Sequence, residues 1–223
     1  MLIELWPVKG GVGTSVIAAT LAATLPEVGE SVLIVTRNKE EMHDQAAIWG
    51  VSPVQIERWD QPYPLATLRH QGDDFKTSPI SISCTWFNTW HAPRPYEEQF
   101  DHTIIIRTPQ MQATASMIPD YEESTKIQIV ENSYVCLARS TRSANRYDAT
   151  IVFTTEGGPL EIRDCKAVLA DVGGIIFEWK RDPGIQRAID AGLYTGRIPR
   201  LANQSFNEIT NHIKELHSHA SNH

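Results

Sequence analysis

The chain has 223 residues, 41% of them hydrophobic and 21% charged, with a formal net charge of −7 at pH 7. That is enough for one large α/β domain with a sizeable core, and too acidic overall for an undirected nucleic-acid-binding surface. Cys84, Cys136 and Cys165 are odd in number and scattered among apolar residues, which argues against a disulfide framework and for buried, reduced thiols in a cytoplasmic protein.

No segment reaches the roughly 18 consecutive apolar residues of a membrane span. Met1 runs into an apolar stretch with no charged region before it, so neither a signal peptide nor an anchor is expected. Residues 2–8 form that apolar run, broken by Pro7, and are predicted as the first strand. Lys9-Gly10-Gly11-Val12-Gly13-Thr14-Ser15 follows as a glycine-rich loop. Residues 16–25, rich in Ala and Leu, are predicted as a helix ended by Pro26, and residues 31–35 as a second buried strand. A strand-loop-helix-strand unit with a right-handed crossover places the loop at the carboxyl edge of a parallel sheet. There, backbone N–H groups of residues 10–15 and the helix N-terminus suit an anion, because the attraction comes from peptide geometry.

Further strands are predicted at residues 102–106, 134–138, 150–153 and 174–177, and helices at 40–49, 161–169, 183–191 and 205–217. Residues 51–100 read as an irregular excursion holding Trp59, Trp86 and Trp90, with one alternating run at 80–86 suited to an added strand. Its tryptophans are expected in the core, with a partner surface as the alternative. The polar tail 217–223 is expected to fray. Alternation of buried-type strands with helices predicts an α/β fold, a mostly parallel twisted sheet with helices on both faces.

Lys9, Gly10, Gly11, Gly13 and Ser15 resemble the deviant P-loop K-G-G-x-G-K-[ST] of the ParA/MinD family, ATPases that position plasmids, chromosomes, septa or envelope machines. The early lysine makes the resemblance specific. It continues in Phe100-Asp101-His102 and Ile104-Ile105-Ile106-Arg107-Thr108-Pro109, which are similar to the family's Y-D-x-x-I-I-D-T-P strand and switch. Residues 170–193 resemble its late strand and Asp-Pro helix, and residues 206–216 its closing helix. Within the family the final third is most similar to the TadZ/CpaE branch, which places pilus machinery. The resemblance implies a single three-layer P-loop domain over residues 1–223 and a nucleotide held by Lys9, Gly10, Gly11, Val12, Gly13, Thr14 and Ser15. It also implies a homodimer in which Lys9 crosses to the partner's phosphates.

The chain departs from that pattern in three places. Thr14 replaces the P-loop lysine, Thr36 and Asn38 stand where carboxylates follow the second strand, and Arg107 stands where a switch aspartate would hold Mg²⁺. Phosphoryl transfer depends on such electrostatic placement, so ATP or ADP binding is expected to be weak or absent, Mg²⁺ binding poor and hydrolysis negligible. Arg107 has two readings, a counter-charge in place of Mg²⁺ or a mark of a decayed site. The functional expectation is a degenerate, dimerising localisation or assembly factor for a pilus or other envelope machine. The alternative is a slow but genuine ParA-type ATPase in DNA partition or polar positioning. A dinucleotide-binding oxidoreductase is disfavoured, since Gly-x-Gly-x-x-Gly is absent and no acid ends the second strand.

Arg139, Arg142 and Arg146 are read as a solvated face rather than a DNA-binding rim. The stripe Phe206, Ile209, Ile213 and Leu216 is expected to dock on its own domain, because Lys214 is countered by Glu208 and Glu215 and the basic face of a lipid-binding helix is missing. His212, His217, His219 and His223 lack any order of Cys or carboxylate, so no metal site is expected there.

Overall fold

The computed structural model describes residues 1–27, 29–36, 39–52, 62–68, 79–86, 99–107, 124–143, 145–155, 157–191 and 204–220. Among these, the strands are β1 (Leu2–Pro7), β2 (Ser31–Thr36), β3 (Tyr63–Leu68), β4 (Ile80–Trp86), β5 (His102–Ile106), β6 (Thr125–Glu131), β7 (Ala149–Thr154) and β8 (Ile175–Lys180). The helices are α1 (Thr14–Thr24), α2 (Lys39–Ile48), α3 (Tyr134–Ser140), α4 (Ile162–Leu169), α5 (Pro183–Asp190) and α6 (Gln204–Ala220). The strands are mostly parallel, in the order β3-β4-β2-β5 and β1-β6-β7-β8, an α/β fold. The chain divides into two compact units.

The first unit holds residues 1–2, 15–106 and 184–203. In it β2 runs parallel to both β4 and β5, and β3 is added antiparallel on β4 with an irregularity between Pro64 and Ala66. Val32, Leu33, Ile34 and Val35 are all fully buried, the continuous apolar run expected of a parallel strand covered on both faces. Helix α1 is buried from Ile17 through Ala23, which is why its sequence is alanine-rich rather than amphipathic. The strand expected at 80–86 is present, and β3 adds a second strand to the supposed excursion. Trp59 and Trp90 lie outside the described residues.

Asp101 ties β2 to β5 in this unit. One of its carboxylate oxygens accepts from the Ser31 hydroxyl at 2.7 Å and from the Ser31 amide at 2.8 Å, while the Asp101 amide donates back to the Ser31 hydroxyl at 3.2 Å. The hydroxyl and then the amide of Ser31 hold the Asp101 carboxyl below the usual carboxylate range. A depressed folded-state pKa gives stability that is complete above the unfolded value of about 3.9 and disappears as pH falls through the folded value. Because Asp101 is exposed, Asp101→Ala should cost only about 1 kcal/mol at pH 7. Urea unfolding at several pH values should show the gap between wild type and variant closing below about pH 4. A gap independent of pH would mean that the carboxylate is not what Ser31 binds.

The second unit holds residues 3–14, 107–183 and 204–223. Its strands β1, β6, β7 and β8 are consecutive parallel neighbours. The stretch 134–138, expected as a strand, is part of the helix α3. Ser133 caps it, accepting from the Cys136 amide at 3.4 Å, and turns the chain away from the sheet. The ladder position belongs to Thr125–Glu131, whose run Ile127-Gln128-Ile129-Val130 is apolar enough to fill it. The stretch 217–223, expected to fray, begins inside α6, which runs through Ala220, and its last three residues lie outside the described residues.

The core of this unit reaches α6 through aromatic rings. Trp179 on β8 meets Phe153 on β7 edge-on at 5.2 Å and Phe206 on α6 at 4.9 Å. Phe206, Ile209 and Ile213 are all fully buried. The apolar stripe of the closing helix is thus spent on its own sheet, as its charge pattern implied.

Candidate functional site

Strand β1 ends at Pro7, and the Val8 amide donates to the Ile129 carbonyl at 3.1 Å, carrying the β1–β6 ladder to the edge of the loop. Gly11 and Gly13 then take φ values of +76° and +85°, backbone that residues with a Cβ rarely adopt. A Cβ built on Gly10 or Gly11 meets nothing within 4 Å, whereas one on Gly13 would lie 3.1 Å from the Phe153 ring. Gly13 is therefore needed for packing as well as for shape, while Gly10 and Gly11 border open space. Val12 is buried, Thr14 opens α1, and the Ser15 carbonyl accepts from Gln45 Nε2 at 3.0 Å. The open, left-handed glycine stretch running into a helix fits a phosphate group.

Lys9 is placed beside this loop, and its ammonium is paired with Glu131 Oε2 at 2.7 Å. The two residues lie at the carboxyl ends of adjacent parallel strands, so the pairing is a product of the β1–β6 register. Both side chains are partly open to solvent. The hydrogen bond to Glu131 raises the Lys9 ammonium above the ordinary lysine value, keeping it charged.

Arg107 is the most informative of the departures from the P-loop pattern. Its Nε lies 2.7 Å from Glu4 Oε2, with both side chains almost wholly buried. Glu4 Oε1 accepts from the Ser124 hydroxyl at 2.8 Å. The Arg107 guanidinium also sits 5.3 Å from the centroid of the Trp6 ring. Glu4 and Trp6 are two residues apart on β1 and so share one face of it, which lets a single cation pair with one and lie over the other. Arg107 is thus paired internally with Glu4.

Thr36 is fully buried, its hydroxyl 3.4 Å from the Thr85 carbonyl. Asn38, Thr108 and Pro109 lie outside the described residues. Among the described residues no group of three His, Cys, Asp or Glu is arranged to hold a metal ion. The loop therefore fits a phosphate, and Glu131, a carboxylate described beside it, is paired with Lys9.

Arg139 and Arg142 are exposed on and just after α3, and Arg146 is exposed beyond it, so these cations follow a helix rather than the strand expected. His212 packs on Phe177 with ring centroids 5.5 Å apart and has Glu215 at 3.9 Å. Cys84, Cys136 and Cys165 are free and buried, and burial pushes the Cys84 and Cys165 thiols up. No described helix is long and apolar enough to cross a membrane.

Two charged residues at the site escape sequence reasoning. Glu4 is hidden inside a run that reads simply as apolar, yet a carboxylate in a central strand must find a partner. Glu131 is hidden because the strand signal of residues 134–138 draws attention past the strand that Glu131 ends.

Comparison with known proteins bears on the same loop. Residues 1–46 match the family model described as cellulose biosynthesis protein BcsQ. No curated protein matches the chain. The septum site-determining protein MinD of Pyrococcus horikoshii OT3, solved with Mg-ADP, is similar with a TM-score of 0.63 and 17% identity, each chain covered to 99%. A ParA family ATPase from Chlorobium tepidum TLS has a TM-score of 0.55 at 14% identity, with 94% of this chain and 96% of that one covered. The MinD cell division protein of Aquifex aeolicus has the same score and identity, with 96% of each chain covered. Over nearly its whole length, then, the chain has the fold of the MinD and ParA P-loop ATPases.

Proposed function

We propose that this chain is a ParA/MinD-like protein whose site has lost its hydrolytic charges, and that it works as a dimerising localisation or assembly factor for envelope machinery. The match of its first 46 residues to a cellulose biosynthesis family favours a cellulose-making apparatus over a pilus. The observation that carries the loss of turnover is the Glu4–Arg107 pair. A hydrolytic switch needs an acid facing the metal after this strand, and here the position holds a cation neutralised by a buried carboxylate. Thr14 and Thr36 remove further charge from the same chemistry. What remains is the glycine backbone, Lys9 and the Ser15 hydroxyl, a set that can hold a phosphate without splitting one.

Lacking a means to distinguish ATP from ADP strongly, the protein should not be switched between monomer and dimer by nucleotide, since a ligand shifts an equilibrium only by its differential affinity for the two states. The test has two arms. Purified protein with ATP and Mg²⁺ should hydrolyse at background rate, unrescued by Thr14→Lys, and should sediment identically with and without nucleotide. In the cell, deleting the gene should lower cellulose output. Family-like turnover abolished by Lys9→Ala, or a nucleotide-driven shift to dimer, would establish the slow-ATPase reading instead. Unchanged cellulose would remove the proposed machine.

A further inference from the structure

We infer that Glu131 is an internal anion that occupies Lys9 until a phosphate displaces it, and that it thereby sets the affinity of the loop for nucleoside polyphosphates. The inference rests on the reading of residues 9–15 as a nucleotide-binding loop.

The geometry separates a fixed backbone from a side chain able to move. The Ser133 amide donates to the Glu131 carbonyl at 2.7 Å, and the Asn132 amide donates to the Phe153 carbonyl at 3.3 Å. The buried Asn132 side chain donates to the Leu160 carbonyl at 3.0 Å and accepts from the Thr155 amide at 3.4 Å. Glu131 is thus held at its main chain by the end of β6 and the cap of α3. Its carboxylate, one-quarter exposed, reaches Lys9 through its own rotatable bonds.

A lysine ammonium is a compact charge on a flexible stem, so carboxylate and phosphate compete for it directly. While paired, Lys9 offers little net attraction to an incoming anion. Once displaced, the Glu131 carboxylate remains beside the loop and repels the phosphate. Both effects act in the same direction, and partial exposure limits their combined size to about three- to tenfold in affinity.

The experiment uses the full chain and a fluorescent mant-ATP probe at low ionic strength, with wild type, Glu131→Gln, Lys9→Ala and the double variant. Glu131→Gln should bind about three- to tenfold more tightly than wild type, and the gain should vanish in the Lys9→Ala background. Equal, measurable binding by wild type and Glu131→Gln overturns the role of Glu131 and leaves the loop reading intact. A gain that persists without Lys9 overturns it too, by showing simple repulsion. Absence of binding by all four proteins removes the nucleotide reading and this inference together. A second measurement reads the pair without nucleotide: the NMR titration of ¹³C-dimethylated Lys9 should move to lower pH in Glu131→Gln, and an unmoved titration overturns the proposal.

Discussion

Arg107→Ala should destabilise the protein by about 3–5 kcal/mol, since it strands the Glu4 carboxylate in an interior from which water is excluded. Both partners are at most 2% exposed and lie 2.7 Å apart, so neither can turn to solvent when the other is removed. The loss should appear as a fall of roughly 6–20 °C in melting midpoint for a chain of this length. Replacing the pair together, Glu4→Leu with Arg107→Met, should recover most of that loss, because an apolar pair of similar volume avoids the desolvation that the ions require. If Arg107→Ala melts within a degree or two of wild type, the ion pair is not a buried one in solution.

Trp179→Ala should cost a comparable amount, about 3–5 kcal/mol, for a different reason. Trp179 is 1% exposed and bridges two elements, with the Phe153 ring of β7 on one side and the Phe206 ring of α6 on another. Truncation leaves a cavity that neither ring can fill, and it removes one of the contacts that fasten the closing helix. Denaturant unfolding should show the loss of stability, and trypsin should cut sooner after Lys214 on α6. Trp179→Phe should keep most of the stability. Early cleavage without a fall in stability would mean that α6 detaches independently of the core.

The loop and much of the fold are legible in the sequence because their signals are local. Glycines at positions 11 and 13 satisfy a backbone requirement that no other residue meets easily, and buried runs such as 32–35 and 104–106 declare parallel strands by composition alone. What is not legible depends on partners distant in sequence. Glu4 and Arg107 are 103 residues apart, and Lys9 and Glu131 are 122 apart, so neither pairing has a periodicity to betray it. The segment 134–138 misleads because Tyr, Val and Cys suit strands as well as helices. The deciding residue is Ser133, whose capping bond outweighs side-chain preference over so short a stretch. Asp101 carries the opposite lesson: it belongs to the family-like stretch at 100–109, yet its visible work is to pin Ser31.

The Glu4–Arg107 pair also constrains which substitutions the chain can accept. Any single substitution placing an acid at position 107 would bury two carboxylates against each other. Such a variant should lose stability, so positions 4 and 107 should tolerate paired replacement far better than an isolated change. Two residues 103 positions apart in the chain thus behave as one unit of substitution.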